Sequence, residues 1–300
     1  MSRVVEVLQT VLPVLVMLLI GMLCRSRRLI SREGVNALKN VVVNITLPAV
    51  LVNAFATTSY SLMDVVIPLL MFLVCFAAWG LGRLGRRLPG LESRFVPFLT
   101  TGFEAGMLGY ALFNMLYGAD RTAEFARIDL GQVLFVFTAY KLLLGAESRE
   151  KASLGELLKQ MALSPIIIAI VAGVLLGATG LYRALVPSGV GGIFSACADF
   201  VAAPTSAIIL LTIGYDLVLG DIPWVPTLKV VGLRLAIMLA LLWPGSGLAA
   251  AVNVMFILPP PFVLPVFADD ADQRVYVSSA LSVSTLAAIA GFAVLAAIGG

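Results

Sequence analysis

The sequence predicts an all-α integral membrane protein with ten transmembrane helices in two inverted five-helix repeats, the fourth and ninth helices being broken. The first observation is composition: 60% of the 300 residues are hydrophobic, 12% are charged and the mean hydropathy is +1.04. Such a chain has lipid as its main solvent. The second observation is that long apolar runs are separated by short polar loops. The third is that two of these runs are rich in glycine or proline.

A window of about 19 residues marks ten candidate spans, with boundaries good to a few residues. They cover residues 4–24, 38–58, 63–82, 95–117, 127–145, 162–182, 193–215, 225–243, 248–267 and 276–297. The first run is too long for the apolar part of a secretory signal and ends in CRSRR, where a cleavage site would need small residues. It is therefore predicted to be a membrane span.

Every second loop is basic. Five basic residues lie between the first two spans, four between the third and fourth, and three between the fifth and sixth: Arg25, Arg27, Arg28, Arg32, Lys39; Arg83, Arg86, Arg87, Arg94; Arg149, Lys151, Lys159. Cytoplasmic loops carry an excess of Lys and Arg. The pattern predicts a multi-pass protein of the cell (inner or plasma) membrane with both termini outside the cytoplasm.

The net charge and the cysteines limit the kinds of partner that the chain is expected to bind. In a membrane chain the net charge of +3 is interpreted first as a topology signal, so no nucleic acid is expected. Cys24, Cys75 and Cys197 lie far apart in apolar runs without metal-ligand spacing. Neither a disulfide nor a zinc site is predicted, no cofactor is expected, and the lipid bilayer is the first partner.

The linker GAESREKASLGELLKQ divides the chain into a first repeat (1–145), a cytoplasmic linker (146–161) and a second repeat (162–300). Because five is odd, the second repeat must enter the membrane from the opposite side, as in many secondary transporters. Pro48 in the second span and Pro204 in the seventh are 156 residues apart (204 minus 48). The same offset from Gly106 leads to residue 262, beside the prolines of ILPPPFVLP in the ninth span.

Matched breaks in two halves indicate a binding site between them. A break near the membrane midplane frees backbone N–H and C=O groups, which persist only where protein, water or ligand satisfies them. Half-helix N-termini also present N–H donors and positive potential to an anion. Gly106, Gly109, Pro259, Pro260 and Pro261 are accordingly predicted to contact substrate; the alternative is that they merely kink packed helices.

Glu104 lies inside the fourth span, ten residues after Arg94. At ~1.5 Å per residue it is roughly 15 Å deep, near the midplane of a ~30 Å hydrocarbon layer. Burial and an adjacent anionic substrate would both favour its protonated form, so Glu104 is predicted to bind substrate and couple transport to protons. The alternatives are an ionised Glu104 that binds Na⁺ or a cationic substrate, and a purely structural hydrogen bond.

Other polar or helix-breaking residues within spans are weaker candidates for substrate contact: Pro48, Asn53, Gln132, Pro204, Thr205 and Asn253. Hydrogen bonding between helices is the commoner use of polar residues in lipid. Asp199 is a second intramembrane acid that could couple a proton or cation, or line an outer vestibule. Arg234 is expected to snorkel to a helix end.

The stretch VLPVLVMLLIGMLCRSRRLISREGVNALKNVVVNITLPAVLVNAF resembles the opening of the auxin efflux carrier family. DLGQVLFVF, FVAAPTSAIILLTIG and SSALSVSTLAAI resemble its fifth, seventh and tenth spans, and the short central loop is similar to that of bacterial members. The resemblance implies the fold of bile acid symporters. Spans 1, 2, 6 and 7 would form a scaffold, spans 3–5 and 8–10 a moving transport domain, and the broken fourth and ninth helices would cross at the substrate site.

This chain departs from the family pattern at that site. Family members usually have an asparagine two residues before the first glycine of the fourth helix and a proline after the second. Alignment on Gly106 and Gly109 places Glu104 and Ala111 there. The resemblance implies an elevator-like carrier of small organic anions, mono- or dicarboxylates, with a fold that often forms homodimers. The departure at the site prevents a direct transfer of the substrate.

Two other classes of protein are alternatives. An intramembrane enzyme with a Ser–His dyad or a histidine-ligated metal is excluded because the chain has no histidine. An ion channel could also use breaks at the midplane as a filter. A channel, however, gives no account of the two inverted halves, so a non-enzymatic carrier is the prediction.

Overall fold

The computed structural model describes residues 3–57, 63–147, 153–217, 220, 222–242, 249–268 and 270–299. All regular structure in these residues is helical. Within these residues, seven helices are long and apolar enough to cross a membrane: Val7–Ser26, Arg32–Ala56, Asp64–Gly85, Ala119–Ala146, Val190–Asp216, Trp224–Leu241 and Ala271–Ile298. This confirms an all-α, multi-pass membrane protein.

These seven helices coincide with predicted spans 1, 2, 3, 5, 7, 8 and 10. The sixth span corresponds to a 14-residue apolar helix, Pro165–Ala178. The fourth and ninth are interrupted. The fourth consists of Val96–Leu99 and a helix over 105–117, and the ninth of Ala249–Ile257 and the short 3₁₀ turn Leu264–Phe267. Two short helices, Leu154–Ala162 and Leu181–Leu185, flank the sixth.

Proline explains local irregularities in two of the long helices. Pro48 has no N–H, and the turn before it, Val42–Thr46, widens into a π-helical turn in which Leu47 N–H donates to the Val42 carbonyl. Such widened turns accommodate a missing hydrogen bond without ending the helix. Pro204 instead lies in a turn between Val190–Ala202 and Thr205–Asp216.

The helices pack mainly in two groups. In group 1, the Arg3–Ser26 helix packs on Thr205–Asp216, and Leu47–Ala56 packs on Pro165–Ala178 and Val190–Ala202. Group 2 contains the remaining long helices and both interrupted segments: Met63–Gly85, 96–117, Thr122–Phe135, Trp224–Leu241, 249–267 and Ala271–Gly299. The two groups meet where Arg3–Ser26 contacts Ala271–Gly299 and where Thr205–Asp216 contacts 105–117.

Glycine allows the helices within each group to approach closely. A Cβ atom on Gly21 would lie 2.1 Å from the Leu211 carbonyl oxygen, and one on Gly214 would lie 2.2 Å from that of Leu18. In group 2, a Cβ on Gly131 would lie 2.0 Å from the Pro68 carbonyl oxygen. Small residues at such contacts are the usual basis of helix association in lipid. Lipid tails are as apolar as the side chains, so close packing has to replace the hydrophobic driving force.

Helix ends and loops that the predicted topology places on one side of the membrane contact each other. Lys229 Nζ donates to the Pro89 carbonyl over 2.9 Å, and Arg94 Nη2 donates to the Phe267 carbonyl over 2.9 Å. Arg32 and Lys39 form salt bridges with Asp216. These bonds hold the ends of several helices together at one end of the bundle.

The orientation can be tested with single cysteines in a variant lacking Cys24, Cys75 and Cys197. The positive-inside rule predicts that Arg86→Cys is protected from an impermeant thiol reagent in intact cells and that Asp120→Cys is labelled. Both should be labelled after permeabilisation, which controls for burial. Labelling of position 86 but not of position 120 in intact cells would reverse the predicted orientation.

Candidate functional site

The first break, residues 100–104, interrupts the fourth segment inside group 2. Gly102 has φ +66°, a backbone conformation that residues with a Cβ rarely adopt, and a Cβ there would lie 3.0 Å from Pro261 Cγ. Side chains from other helices bond the backbone here. Tyr140 OH donates to the Phe98 carbonyl over 3.1 Å, and the Phe103 N–H donates to Gln132 Oε1 over 3.4 Å.

The second break, residues 258–263, contains three consecutive prolines. Pro259, Pro260 and Pro261 are buried and have no N–H, so an unwound segment made of them leaves few donors to satisfy. The first N–H after them belongs to Phe262. It donates to Glu104 Oε2 over 2.6 Å.

Glu104 joins the two breaks through its backbone and its side chain. Its N–H donates to the Pro259 carbonyl over 2.9 Å. Its carboxylate accepts the Phe262 N–H and, over 3.3 Å, the N–H of Met107 in the π-helical turn Ala105–Gly109. The carboxylate therefore occupies the backbone donors that each break frees. We call the two breaks and the side chains bonded to them the crossover.

Arg234 is part of the crossover, and the expectation that it snorkels is wrong. It is 3% exposed, on the Trp224–Leu241 helix. Its guanidinium donates to the carbonyls of Leu99 (3.2 Å) and Gly102 (2.8 Å) in the fourth segment and of Leu258 (2.9 Å) in the ninth. Carbonyls freed by both breaks thus share one cation. Arg234 is the central residue of the predicted span 225–243, too far from either end to reach water. Its central position was the sequence signal that it has an internal role.

Asp129 is a second acid that sequence reasoning missed. It is 1% exposed, accepts Tyr110 OH over 2.8 Å, and accepts Gln132 Nε2 over 3.0 Å. Because Gln132 also accepts the Phe103 N–H, a hydrogen-bonded chain leads from Asp129 to the residue next to Glu104. The signal was an acid just inside the predicted span 127–145, in the stretch DLGQVLFVF.

The other predicted site residues fall into two places. Gly106 and Gly109 lie in the π-helical turn after Glu104, where a Cβ on Gly109 would lie 2.7 Å from Leu258 Cδ1. Asn253 is half-buried on the helix that precedes the second break. From group 1, Leu47 Cδ2 lies 3.9 Å from a Cβ built on Gly106, so the start of the Leu47–Ala56 helix lies beside the crossover. Pro48 is the next residue of that helix.

Asn53 and Asp199 belong to a different network. Asn53 Nδ2 donates to Asp199 Oδ1 over 2.9 Å, and Ser195 Oγ, which also bonds Tyr182 OH, donates to Asn53 Oδ1 over 3.1 Å. This network joins helices of group 1. Thr205 is buried on the helix that packs against 105–117, whereas Pro204 is exposed. Whether these residues contact substrate stays a prediction.

A cavity of about 520 Å³ lies between the two helix groups. Group 1 contributes Arg25, Arg32, Lys39 and Asp216 to its wall, and group 2 contributes Phe262, Pro265 and Arg274. Phe262 links the cavity to the crossover, because its N–H is the donor bonded to Glu104. A basic chamber between the two groups thus leads to the second break.

No protein-family model matches the chain. The chain is 26% identical over 214 residues to a protein of the archaeon Methanothermobacter thermautotrophicus named an uncharacterized transporter, a match that covers 70% of this chain and 67% of that protein. Together with the apolar helices, this similarity supports a membrane transporter that is not an enzyme.

The contribution of Arg234 can be measured by substitution. Arg234→Gln leaves several buried carbonyls without a charged donor, each at a cost of about 1–3 kcal/mol, so we expect a clear fall in the apparent melting temperature of the purified protein. Arg234→Lys keeps the charge but lacks the planar fork of donors that bonds three carbonyls. Its melting temperature should lie between those of the wild type and Arg234→Gln. Lys229→Gln, on the same helix, removes one exposed bond to Pro89 and is the matched control. Equal melting temperatures for Arg234→Gln and the control would contradict the role assigned to Arg234.

Proposed function

We propose that the protein is a secondary carrier of small organic anions that resembles the auxin efflux carriers and is coupled to protons through Glu104. The observation that carries this proposal is the position of the Glu104 carboxylate on the N–H groups of Phe262 and Met107. Backbone donors at helix breaks suit an anion. Here the chain supplies that anion itself.

This geometry makes substrate binding depend on a proton. An ionised Glu104 would repel a carboxylate that approaches the same donors, and the repulsion is strong where water is scarce. Protonation removes the charge and weakens the bonds that the carboxyl group accepts from the two N–H groups. A substrate anion can then take the donors, so that the anion and the proton enter the site together.

The packing supports a carrier that alternates between two states. The crossover belongs to group 2, within which Arg234 and Glu104 bond the two breaks to each other. Group 1 forms a separate set of closely packed helices. In the proposed mechanism, two inverted repeats of five spans build these groups, and group 2 moves as a unit against group 1 in an elevator-like step. The cavity between them is the opening on the side predicted to be cytoplasmic.

The charge of the cavity favours anions over cations. Among the described residues that line it, four are cationic, Arg25, Arg32, Lys39 and Arg274, and one is acidic, Asp216. A chamber with an excess of positive charge concentrates anions before they reach the site. A cationic substrate or Na⁺ would be repelled by this positive charge, so both alternatives are less favourable.

Uptake into proteoliposomes with Glu104→Gln tests the proposal. A glutamine resembles the protonated glutamate, so we expect exchange of labelled anion across the membrane to continue while uptake no longer depends on an imposed pH gradient. Glu33→Gln, which changes an exposed glutamate in the first turn of Arg32–Val41, is the matched control and should keep its coupling.

Full dependence on the pH gradient in Glu104→Gln would show that Glu104 is not the coupling acid. Asp129, bonded to Gln132 at the crossover, and Asp199 would then be tested next. Uptake by the wild-type protein that depends on a Na⁺ gradient and not on pH would identify sodium as the coupling ion. Single-channel currents in a planar bilayer would show that the protein is a channel.

A further inference from the structure

Three arginines and a lysine line the cavity, and they come from three different helices. Arg25 lies at the end of the Arg3–Ser26 helix, Arg32 and Lys39 lie on Arg32–Val41, and Arg274 lies on Ala271–Gly299. Four positive charges around one chamber repel one another. This arrangement is stabilised by any anion that binds among them.

One carboxylate already lies on the group 1 wall. Asp216 pairs with both Arg32 and Lys39, so the two cations are placed to bind the two oxygens of a single carboxylate. Arg25 Nη1 donates to the Leu217 carbonyl over 2.9 Å, at the C-terminal end of the same helix. This wall therefore shows the chemistry that the chamber offers: two charged donors pair with one carboxylate, beside a third that bonds a carbonyl.

The group 2 wall carries a cation without such a partner. Within the described part of the chain, the exposed Arg274 guanidinium has no hydrogen bond or ion pair; the backbone N–H of Arg274 donates to the Asp270 backbone carbonyl. The hydroxyl-bearing residues Ser278 and Ser282 line the cavity on the same helix. An oxyanion in the chamber would find a guanidinium on one wall and the Arg32–Lys39 pair on the other.

We propose that this basic chamber is a binding site for a small, multiply charged oxyanion, carboxylate or phosphate, separate from the crossover. The ligand bridges Arg274 of group 2 and the Arg32–Lys39 pair of group 1. Because the two walls belong to different helix groups, the bound anion stabilises the arrangement described here and would have to leave before the groups slide. The site does not depend on Glu104 and exists whether or not the crossover carries protons.

Binding can be measured as thermal stabilisation of the purified protein in detergent, with citrate as the probe and the ionic strength held constant with chloride. A ligand that binds only the folded protein raises its melting temperature by mass action. We expect citrate to stabilise the wild-type protein, and Arg274→Gln to weaken its apparent affinity about tenfold or more, the effect of losing one charge-assisted hydrogen bond. Arg87→Gln, a change of the same charge at an exposed loop residue, is the matched control and should bind citrate normally.

Two further variants separate this site from the crossover. Asp216→Asn removes the internal carboxylate that competes for Arg32 and Lys39, and should bind citrate several-fold more tightly. Glu104→Gln should weaken citrate binding by no more than about twofold, or ~0.4 kcal/mol, because it removes no contact in the chamber. Loss of binding in Glu104→Gln with normal binding in Arg274→Gln would place the anion at the crossover and overturn the inference.

A lipid phosphate is the other source of the same chemistry, and a soluble short-chain lipid distinguishes it. Short-chain phosphatidylglycerol should stabilise the protein no more than short-chain phosphatidylcholine does, if the ligand is a free anion. Stabilisation by phosphatidylglycerol that needs Arg274, without any by citrate, would identify a lipid headgroup site and overturn the assignment to a free anion. Absence of stabilisation by either probe would overturn the site itself.

Discussion

The fold depends on how two interrupted helices satisfy their backbone inside an apolar bundle. In lipid, each unpaired N–H or C=O group costs several kcal/mol. This protein limits the number of such groups with three consecutive prolines and bonds others with four polar side chains. Glu104 and Gln132 accept backbone N–H groups, while Arg234 and Tyr140 donate to carbonyls. The unwound segments are thereby part of a defined structure, even though they lack regular hydrogen bonds.

The same bonds place opposite charges on the two kinds of backbone group. The Arg234 cation binds carbonyls, and the Glu104 carboxylate binds N–H groups. Removing Arg234 would leave carbonyls of both breaks without their charged donor, whereas adding a proton to Glu104 changes only the bonds from the N–H groups of Phe262 and Met107. A site of this kind can exchange its internal anion for an external one without unfolding the surrounding helices. This is the physical basis of the proposed coupling between a proton and an organic anion.

Hydropathy and helix breakers predicted much of the fold. In the part of the chain that the structure describes, seven of the ten predicted spans coincide with helices able to cross a membrane. The glycines near Glu104 and the prolines at 259–261 lie in or next to interruptions of the fourth and ninth segments. Side-chain partners were harder to predict. Hydropathy alone predicts that the Arg234 side chain extends to water. A linear sequence does not show that freed carbonyls of both breaks meet beside it. Asp129 was missed for a similar reason: its partner Tyr110 lies on another helix.

The central claim is that the Glu104 carboxylate accepts the Phe262 N–H and releases it on protonation. Nuclear magnetic resonance of the protein labelled with ¹⁵N-phenylalanine, with the Phe262 amide assigned by a Phe262→Leu variant, measures this bond without any substrate. The account predicts that the Phe262 amide proton signal moves upfield in one titration step as the pH falls, and that the step is absent in Glu104→Gln. A Phe262 signal that does not change with pH, or that changes equally in Glu104→Gln, would contradict the account.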